Sequence, residues 1–260
     1  MSLRSKTIKA FSWDFFGRIV TQVSSFIVSI FLARLLSPEE FGLVAMALAF
    51  ISISSVFIDI GFSAALIQKQ DATDKTYSSI FYFNVAAGLI LTAIVYAFAE
   101  LIGQFYNRIE VVSLLKWLSL IFVFNSFNRV QNVILNKEMN FKQLTIRTFF
   151  ASVLSGILGI IMAFKGFGVY SLVGQSLSLA FFSTIFLWST TNWRPTLYFS
   201  FNELRGLMKF SVFAFFERII NSIFLKLDVL LLAKLFNPAI IGFYTRSSTL
   251  KEQVTKYSSS

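Results

Sequence analysis

The feature that most constrains this chain is a series of apolar runs separated by short polar connections. A helix that crosses a bilayer needs about 20 mostly apolar residues. Such runs predict seven helices and the start of an eighth near residue 240, the seven lying near 10–35, 41–68, 77–101, 111–135, 147–165, 167–192 and 210–236. No connection is long enough to fold as a separate domain. The predicted fold class is therefore all-α integral membrane.

Composition excludes most catalytic chemistry. The chain of 260 residues is 56% hydrophobic and contains neither Cys nor His. Thiol nucleophiles, imidazole bases and the usual zinc ligands are therefore missing, and we expect no enzyme activity, no metal site and no cofactor. Coupling to protons or sodium ions would have to use Asp or Glu. The net charge of +10 is scattered among apolar spans, so nucleic acid is not an expected partner.

The distribution of basic residues predicts the orientation in the membrane. Placing the N-terminus in the cytoplasm puts the larger share of Lys and Arg on the inner connections, such as 68–75 and 136–143. Cytoplasmic loops of membrane proteins carry such an excess of positive charge. We therefore expect a multi-pass protein with a cytoplasmic N-terminus.

Polar side chains inside three of the predicted spans fall into narrow stripes. At 100° per residue, the stripe of the first helix contains Asp14, Arg18, Thr21, Gln22, Ser25 and Ser29, that of the second Ser52, Ser55, Asp59 and Ser63, and that of the fourth Asn125, Arg129, Asn132 and Asn136. Charged groups facing lipid cost at least a few kcal/mol. The stripes, with Asp59 and Arg129 expected to be unpaired, predict a hydrated cavity. The alternative is an ion pair between Asp14 and Arg18 with polar contacts between helices.

The remaining spans carry two other patterns. Small residues line the fifth and sixth helices, including Gly156, Gly159 and Gly174, and predict close packing of the two backbones. Polar residues cover about half of the seventh helix, namely Ser211, Glu217, Arg218, Asn221, Ser222, Lys226 and Asp228. Half of this helix cannot face lipid, so we expect its neighbours to include helices that this chain does not contain.

One phrase of the sequence occurs twice. "LARLLSPEEFG" at 32–42 returns as "LAKLFNPAIIG" at 232–242, and the match at this offset of 200 extends back to Arg18 and Arg218. Six helices separate the copies, so both enter the membrane from the same side and form parallel repeats. The predicted architecture is a six-helix lobe over 1–200 and the start of a second lobe over 201–260. Two such lobes need on the order of 400 residues, so we expect a C-terminally truncated product.

Several segments together resemble a known family. "LARLLSPEEFGLVAMALAFISISSVFIDIGFSAALIQ" (32–68), "GFGVYSLVGQ" (166–175), "WRPTL" (193–197) and "NPAIIGFYTRSSTL" (237–250) are similar to the polysaccharide flippases of the MOP superfamily, in particular the Wzx-type exporters of colanic and teichuronic acid. The resemblance implies a bacterial cytoplasmic membrane protein that moves undecaprenyl-pyrophosphate-linked oligosaccharides across the membrane by alternating access. It also implies membrane lipid and the polysaccharide polymerase machinery as partners.

The resemblance further implies roles for individual residues. Helices 1, 2, 7 and 8 line the cavity in such proteins, and their basic side chains receive the anionic pyrophosphate or sugar. With Arg129 added from the stripe on helix 4, the expected substrate-binding residues are Arg18, Arg129, Arg218, Lys226, Arg246 and Lys251. The expected coupling acids are Asp14, Asp59, Glu217 and Asp228.

Three other functions are open at this point. A multidrug or cation antiporter of the same superfamily would share the duplication, but it should have a more acidic cavity. A membrane-embedded glycosyltransferase would need a carboxylate cluster beside a long loop, and the chain has no such loop. A truncated chain could also be a fragment that does not transport.

Overall fold

The computed structural model describes the backbone of residues 3–69 and 71–258, and the side chains of residues 17, 19–69, 71–208, 211–249 and 251. Within these residues the chain is helical and has no strand, which confirms the all-α class. The helices are α1 Leu3–Leu35, α2 Pro38–Ser54, α3 Phe62–Gln68, α4 Asp74–Tyr106, α5 Glu110–Leu118, α6 Leu120–Lys137, α7 Phe141–Phe164, α8 Tyr170–Thr190, α9 Phe201–Leu235 and α10 Pro238–Ser258.

Within the described residues, five helical segments are long and apolar enough to cross a bilayer. They are Pro38–Ile58, Asp74–Tyr106, Glu110–Lys137, Phe141–Phe164 and Tyr170–Thr190, and a shorter apolar helix covers Ile19–Leu35. Exposed apolar side chains such as Ile90, Phe98 and Ile161 lie on these helices and would face lipid, where every backbone polar group must be bonded within the protein. The chain is a multi-pass membrane protein.

The second predicted helix is not continuous, which corrects the prediction of one span over 41–68. α2 ends at Ser54 and is followed by a 3₁₀ turn, Ser55–Ile58. The helix is then interrupted until α3 begins at Phe62. Gly61 has a φ of +79°, in the left-handed region that only glycine adopts readily. A Cβ atom at this position would also overlap the carbonyl oxygen of Ser211 on α9. The break therefore lets α9 approach the chain between α2 and α3.

Several helices begin earlier than the apolar runs indicate, among them α1, which begins at Leu3 instead of near residue 10. α7 begins at Phe141 instead of near 147, because Asn140 caps it by accepting a hydrogen bond from the backbone N–H of Gln143. α9 begins at Phe201 instead of near 210. Its first turns lie against α4, where Thr76 donates a hydrogen bond of 2.6 Å to Glu203 Oε2. These polar turns were not visible in the hydropathy pattern.

Small residues set the packing of α1, α7 and α8. A Cβ atom on Gly156 would overlap Val28 of α1, and one on Gly159 would lie 2.9 Å from the Cβ of Gln175 on α8. A Cβ atom on Gly174 would likewise overlap Met162 of α7. These contacts confirm the close packing predicted for the fifth and sixth spans, since only glycine leaves room for the backbones to approach.

The apolar core is divided into two clusters. The larger cluster joins α2 to α5 and includes the fully buried Met46 and Leu115. The smaller cluster joins α3, α4 and α6 to the start of α9 through Leu204 and Leu207. The seventh span therefore packs directly against the first lobe. The predicted division into lobes at residue 200 stays a prediction.

Candidate functional site

A buried ion pair joins the break after α2 to α9. Arg218 Nη1 donates a hydrogen bond of 3.0 Å to Asp59 Oδ2, and the backbone N–H of Ser63 donates one of 2.9 Å to Asp59 Oδ1. Asp59 is only 1% exposed, whereas the Arg218 side chain is 38% exposed. The carboxylate is thus fully enclosed, and the guanidinium that holds it is open on one side.

This pair corrects two expectations about the second predicted helix. Asp59 is paired, so the expectation that it is unpaired was wrong. The break also separates Ser63, which lies on α3, from the other residues of the predicted polar stripe. The hydroxyls of Ser52 and Ser55 donate to backbone carbonyls of their own helix. Asp59 acts as a cap for α3 and as a partner of Arg218, which a continuous helix would not have allowed.

Arg129 of α6 is the third charged group of this site. Arg129 lies near enough to Asp59 and Arg218 for the charges of both residues to act on it. Its Nε is buried and has no hydrogen-bond partner among the described residues. Leaving a buried donor unpaired costs about 1–3 kcal/mol, and more for a charged group. An anion bound at this position would supply the partner that the Arg129 Nε lacks.

Arg147 of α7 is a further partly buried guanidinium, held on the helix next to Arg129, and the sequence pattern did not indicate it. Its Nη1 donates a hydrogen bond of 2.7 Å to Asn132 Oδ1, one turn along α6 from Arg129. Its Nε is buried and unpartnered among the described residues, as in Arg129. The predicted fifth helix begins near residue 147, which places Arg147 at the membrane edge instead of within a helix. The Asn140 cap could have shown that the residue lies inside a helix.

These four residues define the polar site: Asp59, Arg129, Arg147 and Arg218. Three guanidinium groups against one carboxylate give a formal charge of +2 (3 − 1). Guanidinium donates hydrogen bonds in a planar fork that fits phosphate and carboxylate oxygens. Such a site inside a membrane protein favours an anion over a cation.

The structure gives Arg246 and Asp228 roles outside the polar site. Arg246 of α10 stacks over the ring of Phe41 at 3.7 Å, and its Nη2 donates to the carbonyl oxygen of Ser29 at 3.3 Å. Asp228 accepts a hydrogen bond from the hydroxyl of Tyr244, which joins α9 to α10. Both residues hold helices together in this structure.

Three other predicted residues lie on α9 and α10. Glu217 and Lys251 are exposed and Lys226 is half-buried. The exposure of this face agrees with the expectation that α9 needs further neighbours. The side chains of Asp14 and Arg18, predicted for the first helix, lie outside the described residues.

Comparison with known proteins decides the family. A family model described as "Polysaccharide biosynthesis protein" matches residues 31–259. The chain belongs to this family. The match confirms the predicted resemblance to Wzx-type polysaccharide flippases. No solved structure matches the chain.

Curated relatives of the family are similar over most of this chain. The succinoglycan biosynthesis transport protein ExoT of Rhizobium meliloti (strain 1021) is 25% identical over 248 residues, which cover 95% of this chain and 50% of ExoT. The lipopolysaccharide biosynthesis protein WzxC of Escherichia coli (strain K12) is 25% identical over 94% of this chain and 50% of WzxC. The teichuronic acid biosynthesis protein TuaB of Bacillus subtilis (strain 168) is 26% identical over 74% of this chain and 40% of TuaB. The chain spans about half the length of the first of these relatives.

Proposed function

We propose that this chain takes part in the transfer of undecaprenyl-pyrophosphate-linked oligosaccharide across the bacterial cytoplasmic membrane. The observation that carries the proposal is the polar site, in which Arg218 binds the buried carboxylate of Asp59 and two further guanidinium groups, those of Arg129 and Arg147, lie on the neighbouring helices α6 and α7. A pyrophosphate linkage carries two phosphoryl groups, and guanidinium binds phosphate oxygens through paired hydrogen bonds. The curated names of relatives as transport or polysaccharide biosynthesis proteins support transport of such a substrate and not catalysis.

Charge favours this function over the alternatives. A cation or multidrug antiporter needs net negative charge where its substrate binds, whereas the polar site has a formal charge of +2. Asp59 is the acid best placed to couple a proton or a sodium ion to transport, because it holds Arg218. This chain covers about half of the length of ExoT. We therefore include in the proposal that it does not transport alone.

Lipid binding tests the proposal directly. The purified chain in nanodiscs is titrated with undecaprenyl pyrophosphate, undecaprenyl monophosphate and undecaprenol, and binding is measured by native mass spectrometry. We expect affinity to fall in that order, because each phosphoryl group removed leaves guanidinium donors unpaired. Arg129→Gln should weaken diphosphate binding by about 10-fold or more, since a hydrogen bond to a charged group contributes about 1.5–3 kcal/mol.

The matched control is Lys165→Gln, which removes a positive charge from an exposed residue at the turn after α7. This variant should bind the diphosphate lipid like the parent chain. Equal affinity for all three lipids, or equal loss in the two variants, would refute the anion site. Transport itself is tested by expressing the chain in a strain that lacks its flippase, where restored surface polysaccharide indicates transport and its absence indicates a chain that does not act alone.

A further inference from the structure

The two copies of the repeated phrase contact each other reciprocally. A Cβ atom on Gly42 of α2 would overlap the carbonyl oxygen of Pro238, and a Cβ atom on Gly242 of α10 would overlap that of Pro38. The Cβ position of Gly242 also lies 3.2 Å from the backbone nitrogen of Gly42. Each glycine thus contacts the proline of the other copy. The two contacts are equivalent under the offset of 200 residues that relates the copies. We call this contact the glycine seam.

The glycine seam joins the first turns of two parallel helices. Ser37 and Asn237 cap these turns, accepting hydrogen bonds from the backbone N–H groups of Glu40 and Ile240. Both helices start at the seam, which lies where α1 ends and α2 begins. Further along α10, Ser247 and Thr249 are exposed. The seam therefore holds the two repeats together at the start of α2 and α10.

Two basic side chains of the second copy reinforce this end. Arg246 stacks on Phe41 and donates to the carbonyl oxygen of Ser29, and Lys234 donates a hydrogen bond of 2.6 Å to the carbonyl oxygen of Phe105 at the end of α4. The residue equivalent to Arg246 in the first copy is Met46, which is fully buried in the core. We call the contacts of Arg246 with Phe41 and Ser29 the clamp. The clamp therefore depends on a residue that the second copy does not share with the first.

We propose that the glycine seam is the outer gate of the pathway, closed in this structure, and that its two helices must part for a substrate to leave on that side. The inference rests on the proposed transport function and on a cytoplasmic N-terminus, which places the seam at the outer face. At the glycine seam the backbones of the two copies touch and leave no room for a methyl group. Such close packing holds only while α2 and α10 stay fully in contact. Adding a methyl group should therefore shift the population toward the open state.

Thiol labelling tests the gate in living cells, because the chain has no cysteine of its own. The reporter is Ser222→Cys, on a half-buried residue of α9 one turn beyond Arg218. An anionic methanethiosulfonate that cannot cross the membrane is added from outside, and the labelling rate is measured. With the reporter present, Gly42→Ala and Gly242→Ala should each label several-fold faster than the parent chain.

Gly206→Ala is the matched control, because a Cβ atom there has no neighbour within 4 Å, and its labelling rate should not change. Arg246→Met places in the second copy the residue that the first copy has, so it loosens the clamp without adding bulk to the seam. It should also label faster, which keeps the test valid if an alanine variant does not fold.

Unchanged external labelling in both Gly242→Ala and Arg246→Met would overturn the proposal. So would faster labelling only from the cytoplasmic side, measured in inverted vesicles. The measurement needs no lipid-linked substrate. A chain that fails to bind pyrophosphate lipids can therefore still show the gate, and failure of the two proposals is distinguishable.

Discussion

Asp59 and Arg218 are separated by 159 residues in the sequence, yet their side chains form an ion pair of 3.0 Å. The carboxylate belongs to the break between α2 and α3, and the guanidinium to the first helix of the second repeat. The pair therefore connects the two repeats at the polar site. Both the stability of the chain and its binding of anions should depend on it.

Removing Arg218 should destabilise the chain. Among the described residues, Arg218→Met leaves the buried Asp59 carboxylate with only the backbone N–H of Ser63 as a donor, and an uncompensated buried charge costs about 3 kcal/mol. We expect a lower Tm in detergent micelles. Lys226→Met, a change of the same type on the same helix, should leave the Tm near that of the parent.

A second substitution tests whether the charge of Asp59 causes that loss. In Asp59→Asn/Arg218→Met the buried side chain is neutral, and it can still accept the hydrogen bond from Ser63. The double variant should therefore be less destabilised than the sum of the two single variants, with a coupling free energy of about 0.5–3 kcal/mol. Simple additivity would show that the pair contributes no coupling.

Gly61→Ala should destabilise the chain through both backbone conformation and packing. A left-handed φ costs a non-glycine residue about 1–2 kcal/mol, and the new methyl group would overlap the backbone of Ser211. We expect the loss in thermal unfolding to exceed the conformational cost alone. Gly206→Ala should be neutral or stabilising, because alanine is favoured over glycine within a helix by about 1 kcal/mol. Equal Tm values for the two variants would contradict the close approach of α9.

The cap of α10 should contribute to stability as caps do in other helices. Asn237 Oδ1 accepts a hydrogen bond of 3.0 Å from the backbone N–H of Ile240, so Asn237→Ala should cost about 1 kcal/mol. Asn237→Ser keeps an acceptor at this position and should recover most of the loss. Chemical unfolding in micelles measures both variants. If alanine and serine were equivalent here, the hydrogen bond would have no role in stability.

Arg147→Lys should weaken the binding of undecaprenyl pyrophosphate although it keeps the positive charge. Lysine has a single compact ammonium nitrogen and lacks the planar fork of guanidinium, so it cannot bond Asn132 through one nitrogen and a ligand through the others. We expect a Kd higher by about 10-fold, measured with the same lipid in nanodiscs. Lys165→Arg, on the exposed turn, should leave the Kd unchanged. An unaltered Kd in Arg147→Lys would show that Arg147 only holds α6 and α7 together.

The sequence pattern predicted the helical class well, because apolar length is a local property that a bilayer selects directly. It placed the fourth and sixth spans near their observed positions, at Glu110–Lys137 and Tyr170–Thr190. It failed at the break after α2, because Asp59, Ile60 and Gly61 interrupt hydrogen bonding without interrupting the apolar run. It also began α7 too late, because hydropathy does not register a capping residue such as Asn140.

The candidate site was predicted only in part. Asp59, Arg129 and Arg218 lie within apolar runs long enough to span the bilayer. This was enough to indicate that their side chains face inward, because a charged side chain in lipid has a high free-energy cost in any helix. Which of them pair could not be predicted, since pairing depends on the relative positions of α2, α6 and α9. The same limit concealed Arg147, whose place in the site depends on its contact with Asn132 of another helix.

By itself, the sequence determined that this chain is a helical membrane protein, that two of its segments are copies of one another, and that charged groups lie within its spans. These properties depend on composition and spacing along one chain. Only the tertiary structure decided that Arg218 holds Asp59, and that the copied Pro38–Gly42 and Pro238–Gly242 segments close on each other. Those contacts join residues more than 150 positions apart, and only the packing of the helices brings such residues together.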